Sequence, residues 1–548
     1  MMAARRNLCP PELLSPKCPY KNPSLKAAKL GFRMCGRGGR RRLLCLLLAV
    51  LPPGALASPR SRRRRARHHA TALAAEDSVG ASTAPDVGQQ HPPNFFAEHP
   101  SEQSSSLNID DFEEDPSTGL RLPRFWRHAT GAPDDGDGLE GLVDPSAYEG
   151  DGLEGLIVNQ PTILLSVASY RDFQCAETVG SALSMAAYPE RISVAVVDQG
   201  VLGAGDPDCT PMCDTEEARA TDVRCKHLSR IRVYWMDARN ATGPILARHI
   251  ASRMYRGEAF VLQVDAHVAF ALGWDEHLLK QWRRTGNENA VLSTYLSDVP
   301  GSLDEEGHTL RTTRPIMCVS AFAEGNNSVP YMRHGAQPEE PPLLSTEPML
   351  QPFWAAGFSF ARGHFVARVP YDCCLPFVFQ GEEVSMGLRG WTHGYDFYAP
   401  YHSVVFHEYA ESSERRRPVA QFWENREGSE ALADDAMRRL TALAGLDPTP
   451  SPHGSFNDAL ASRYGLGSAR NASLYFKLFL IDRERRQAEN LCPFVRSGAM
   501  HRNFQKHLRA NGKGIDYQEL EDFDTVANTP AEPQPQPARR VAHHFAWL

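Results

Sequence analysis

Four apolar runs, each stopping at an ionisable residue, constrain this chain more than any other feature. They are "TILLSVASY" (162–170), followed by Arg171 and Asp172; "RISVAVVDQ" (191–199), which contains Asp198; "IRVYWMD" (231–237); and "AFVLQVDAH" (259–267), which closes on Asp265 and His267. Short runs this rich in Val, Ile and Leu read as strands buried on both faces, as in a parallel sheet. Helical stretches separate them: "CAETVGSALSMAAY" ended by Pro189, and "GPILARHIASRMY" (243–255) with Pro244 suited to its first turn. The order predicts an α/β fold with a mostly parallel central sheet. Ligands of such sheets gather beyond the carboxyl ends of the strands. Arg171, Asp198 and Asp265 stand there, so a nucleotide site is expected at that rim.

The flanks have a different character. The first 75 residues are basic, with "GRGGRRRLL" and "SPRSRRRRARHH", whereas 108–155 is acidic, with "NIDDFEEDP" and "DDGDGLEGLVD". Neither composition suits a core. The basic runs lack aromatic interleaving or an RNA-binding motif, so no nucleic-acid partner is expected. Read from Met34, a basic segment, the apolar stretch Leu43–Leu51 and Ala55-Leu56-Ala57 form a secretory-signal pattern. The expected location is the secretory pathway (ER or Golgi lumen) or outside the cell, with the cytoplasm as the alternative. Membrane association is expected only through this N-terminal segment.

The chain divides into a basic segment (1–75, signal-like at 34–57), a disordered acidic stem (76–158), a catalytic domain (159–426), a helical extension (427–500) and a mostly disordered tail (501–548). The extension is expected to hold an amphipathic helix capped by Ser429 and a last helix near 473–489. Of the 12 cysteines, the eight beyond residue 100 form an even set that fits disulfides. Sequons begin at Asn240, Asn326 and Asn471.

Asp265 and His267 are two apart, so at a strand end both side chains can reach one ion. Carboxylate with imidazole suits a divalent cation that also binds phosphate, Mn²⁺ more readily than Ca²⁺, with Mg²⁺ the alternative. His407, in "VVFHEY", follows another apolar strand and offers a third ligand. Glu382 and Glu383 in "QGEEVSMGLRGW" open a helix, where acids are ordinary dipole partners and are also placed to bind a sugar hydroxyl or take a proton. Gly357, in "FWAAGFSF", leaves the backbone open to a close ligand. Phe353, Trp354 and Trp391 are candidates for apolar walls or for core. Asp275 and Glu276 in "GWDEHLL" read as ordinary first-turn acids.

The succession "SVASYRD", "VVDQ", "GPILARHIASRMYRGEAFVLQVDAHVAFALGWDEHLL", "PFWAAGFSFARGHFVARVPYD", "FVFQGEEVSMGLRGWTHGYDFYAP" and "VFHEY" resembles the Skp1-hydroxyproline N-acetylglucosaminyltransferases over roughly 160–425. It is more distantly similar to polypeptide N-acetylgalactosaminyltransferases. The resemblance implies a GT-A glycosyltransferase fold with a Rossmann-like sheet, a UDP-sugar donor (GlcNAc by analogy), a protein or peptide hydroxyl as acceptor, a divalent metal and retention of configuration. Asp265, His267 and His407 would hold the metal. Arg248 would face the donor, and Ser169, Tyr170, Arg171 and Asp198 would border its uridine. Gly357, Glu382 and Glu383 would border the transferred sugar and the acceptor, the choice between the two glutamates staying open. The secretory signal departs from that family's cytosolic substrate. A non-catalytic UDP-sugar or glycan-binding module and a metal hydrolase are the competing readings. The second lacks the Asp/His-rich cluster a two-metal site needs.

Overall fold

The computed structural model describes residues 161–530, apart from 202, 211–212, 325–328, 411, 417–418 and 448–460, together with the short strands Phe112–Glu114 and Arg121–Pro123. The signal-like stretch, most of the acidic stem, Asn326 and the last 18 positions, 531–548, lie outside the described residues.

The four apolar runs form β1 (Ile163–Tyr170), β2 (Ile192–Gly200), β3 (Ile231–Asp237) and β4 (Phe260–Asp265), mutually parallel in the spatial order β3–β2–β1–β4. After β4 the chain makes the short strand β5 (Val268–Phe270). Four later strands complete an eight-stranded sheet: β6 (Ala290–Ser293), β7 (Met349–Gln351), β8 (Phe358–Arg362) and β9 (Asp396–Ala399). The full order is β7–β9–β6–β8–β4–β1–β2–β3, with β8 antiparallel to both β4 and β6 and β7 antiparallel to β9. The fold is therefore α/β with a mixed, mostly parallel sheet. Finally, β10 (Val405–His407) pairs antiparallel with β5, setting His407 opposite Val268.

Helices α1 (Cys175–Met185), α2 (Pro244–Ser252), α3 (Trp274–Arg284), α4 (Glu382–Thr392) and α5 (Glu430–Leu443) accompany the strands. Pro244 is in the first turn of α2, where its missing N–H costs nothing. Gly381 precedes α4 at φ +95°, a conformation that favours glycine, and starts that helix at Glu382. Among the described residues, disulfides join Cys175 to Cys209, Cys213 to Cys225 and Cys318 to Cys492. Among the described residues no helix is long and apolar enough to cross a membrane.

Several expectations are corrected. Ser429 does sit at the start of α5, but its side chain makes no capping hydrogen bond. The helix expected at 473–489 is only Ala472–Leu478. The charged run "DRERR" instead turns between the short strands Ile481–Asp482 and Gln487–Ala488. Residues 501–530 are not a loose tail: Phe504, Ile515, Tyr517 and Leu520 are buried in the main core. The backbone of Ile515 donates to Asp396 (2.9 Å) and accepts from Arg470 (3.0 Å). Phe353, Trp354 and Trp391 are core residues.

Asp275 is fully buried, against expectation. Its carboxylate accepts from the backbone N–H groups of Ala187 (2.8 Å) and Tyr188 (3.1 Å) and from Arg191 Nε (2.9 Å). It thereby ties the first turn of α3 to the end of α1. Replacing Asp275 by Ala removes the carboxylate from beside the buried Arg191 and from two backbone N–H groups and should cost about 3–5 kcal/mol. Glu276→Ala, at an exposed position, should stay within about 0.5 kcal/mol. Urea denaturation of the two variants measures the difference.

Candidate active site

The carboxyl ends of β1, β2 and β4 open into a cleft of about 480 Å³, the size expected for a small-molecule site. Asp265 is the last residue of β4, and His267 stands in the bend between β4 and β5. The β5–β10 pairing brings in His407. One ligand atom from each of the three lies within 4.8 Å of the others. His407 Nε2 is 3.4 Å from Asp265 Oδ2, and the two imidazoles meet edge to face at 4.4 Å. The structure thus gathers the three residues expected as metal ligands.

Arg248 reaches this cluster from α2. Its guanidinium donates to Asp265 Oδ1 at 2.6 Å and also to Glu382 Oε1. Burial alone would raise the Asp265 carboxyl. The His407 hydrogen bond and the charges of Arg248, His267 and His407 outweigh it and hold the group ionised, well below the usual carboxylate range. On the far side stands Gly357. A Cβ there would come 3.0 Å from Asp265 Oδ2, so the glycine keeps space open beside that oxygen.

The two glutamates differ in their surroundings, although both line the cleft. Glu382 is bound to Arg248 and to Tyr371, and burial raises its carboxyl. Glu383 accepts from Tyr295 Oη (2.6 Å) and from the Ala356 N–H (3.1 Å); burial pushes its carboxyl up to about 7.

Of the four residues expected to border a uridine, one lines the cleft. Tyr170 lines the cleft, together with Ala168 and Gln199. Ser169 and Asp198 are 1% and 3% exposed and do not line it. Side chains alternate along a strand, so the neighbours of Tyr170 and Gln199 face away. Asp198 instead accepts the Cys209 N–H (2.8 Å), and burial pushes its carboxyl up to about 7. Arg171, at φ +50°, turns to a salt bridge with Asp206 (2.8 Å). Residues that sequence reasoning passed over also line the cleft: Tyr295, Tyr409, and the exposed aromatics Phe379 and Trp423 at its mouth. Asp172 lies in the quoted "SVASYRD" and hydrogen-bonds to His267 Nδ1 (2.8 Å). Its position beside a strand end was the available signal.

The sequence profile of a family described as "Glycosyltransferase (GlcNAc)" matches residues 162–226 and 208–485, more than half of the chain. The chain belongs to that family. No curated protein matches it. Among solved structures, GalNAc-T7 with UDP, GalNAc and Mn²⁺ is 16% identical at a TM-score of 0.33, over 56% of this chain and 54% of that one. A mannosyltransferase from Pyrobaculum calidifontis, in complex with GDP-Man and Mn²⁺, is 13% identical at 0.29, over 56% and 70%. S. aureus TarS is 13% identical at 0.28, over 54% and 73%.

The Asp198 environment has a stability consequence. Its carboxyl titrates near 7 when folded but near 3.8 as a free side chain, so its contribution is intact below pH 3.8 and is lost as pH rises through 7. Asp198→Asn keeps an acceptor for the Cys209 N–H and removes the charge. Chemical denaturation should find it more stable than the parent above pH 7, by roughly 2–4 kcal/mol. The two proteins should converge near pH 4.

Proposed function

We propose that this protein is a glycosyltransferase that moves a sugar, GlcNAc by family analogy, from a UDP-sugar to a hydroxyl of a protein or peptide acceptor, with retention of configuration and a divalent cation. The convergence of Asp265, His267 and His407 at the carboxyl rim of the sheet carries this reading. The donor set fits the ion. Two imidazoles and one carboxylate suit Mn²⁺ better than the all-oxygen shell Ca²⁺ prefers, and the glycine at 357 keeps the space beside Asp265 Oδ2 clear. A cation bound there supplies charge that offsets the diphosphate of the leaving nucleotide.

The protein's own groups do the rest. Tyr170 and Gln199 border the nucleotide, and Gly357 allows the sugar close to the backbone. Glu382 is committed to Arg248 and offers no free nucleophile. Glu383 is held by Tyr295 and the Ala356 N–H, and on the proposed reading attack comes from the face the nucleotide leaves, with a departing phosphate oxygen taking the acceptor's proton. As a carboxylate, Glu383 accepts a hydrogen bond from the acceptor hydroxyl and orients it, while Tyr295 and the Ala356 N–H fix its own position. The disulfides Cys175–Cys209, Cys213–Cys225 and Cys318–Cys492 suit an oxidising compartment. They support the secretory reading and an acceptor found there, in place of a cytosolic one.

The test is release of UDP across a panel of UDP-sugars and hydroxyl-bearing peptides with Mn²⁺. Asp265→Asn should lower turnover by about 10²–10³-fold, and full activity in that variant would sink the mechanism. The Glu383 carboxyl ionises as pH rises through about 7, so kcat/KM should climb through that range and level off above it. Glu383→Gln should flatten this inflection, and an unchanged profile would remove Glu383 from the reaction.

A further inference from the structure

We propose that Asp172, braced by Arg416, is the positioning residue that fixes His267 as a metal ligand. The inference rests on reading Asp265, His267 and His407 as a cation site. Asp172 lies just past the end of β1, 95 residues from His267 and 244 from Arg416, and is 5% exposed. Both its oxygens are occupied. Oδ1 accepts from the Gln174 N–H (3.0 Å), and Oδ2 faces His267 Nδ1 (2.8 Å). One Arg416 nitrogen spans both oxygens at 3.1 and 2.9 Å. The same nitrogen donates to Gln174 Oε1 at 2.7 Å.

A carboxylate paired with a guanidinium only accepts hydrogen bonds. The proton shared with His267 therefore sits on Nδ1, and the Nε2 lone pair remains for a cation. A carboxylate behind a ligating histidine fixes the ring's tautomer and orientation and raises its basicity. The backbone of His267 is held as well, because the Glu408 N–H donates to its carbonyl at 3.0 Å. Glu408 directly follows His407, and its carboxylate binds Gln174 and Arg415 (2.8 Å). The chain leaving one expected ligand thus returns to orient the other.

A strut serving only to tie this segment to α1 would change stability and leave metal affinity alone, so affinity is the deciding readout. The full chain is stripped of metal by chelation, and Mn²⁺ is titrated in the presence of UDP, by calorimetry and by loss of the free-ion EPR signal. Asp172→Asn should weaken Mn²⁺ binding about 10–100-fold. Asp172→Glu should restore part of the loss. Arg416→Gln should weaken binding in the same direction and add little to Asp172→Asn in the double variant, because it acts through Asp172. A folded Asp172→Asn protein, checked by thermal melting, that binds Mn²⁺ within twofold of the parent overturns the proposal. If that variant does not fold, unchanged affinity in Arg416→Gln overturns it. A parent protein that binds no Mn²⁺ overturns the cation site itself, which separates the two failures.

Discussion

One buried guanidinium holds the site in register. Arg248 is 7% exposed and joins Asp265 on β4 to Glu382 on α4, while belonging itself to α2. Removing ions from water costs several kcal/mol each, and such a triad is tolerable only when its geometry is good and its remaining valences are met. Tyr371 meets one of them on Glu382, and His407 approaches the free oxygen of Asp265. The arrangement is weak evidence for added stability but strong evidence for position. If α2, β4 or α4 slides, a charge is left unpaired in the interior. Gly243 caps α2 before Pro244 and Gly381 caps α4, so the two helical members of the triad, Arg248 and Glu382, are set by defined helix starts.

The reach of sequence reasoning follows from how local each cause is. The four strands were legible because burial on both faces demands unbroken apolar runs, and Asp265 and His267 because they stand where such a run stops. Parity was not legible. The side chains of Tyr170 and Gln199 face the cleft, so Ser169 and Asp198, their neighbours and each other's partners across β1 and β2, turn inward. Asp275 looked like a surface acid because its partner Arg191 lies 84 residues away. Residues 501–530 carry few apolar side chains and no period. They are ordered by Phe504, Ile515 and Tyr517 inserting into a core that the rest of the chain builds.

The distribution of charge also bears on what the cleft accepts. Its walls hold Arg248 and Arg416, and each is already matched: to Asp265 with Glu382, and to Asp172. Arg333 also lines the cleft, and no ion pair is recorded for it among the described residues. A diphosphate therefore cannot recruit Arg248 without stranding two buried carboxylates, at a cost of several kcal/mol. On the proposed reading, its charge is met by a cation that arrives with it. Asp265 is built for that division: Oδ1 is spent on Arg248, and Oδ2 opens beside Gly357 and His407. Nucleotide diphosphate and divalent cation together approach neutrality, so on that reading the pair adds little net charge to the cleft.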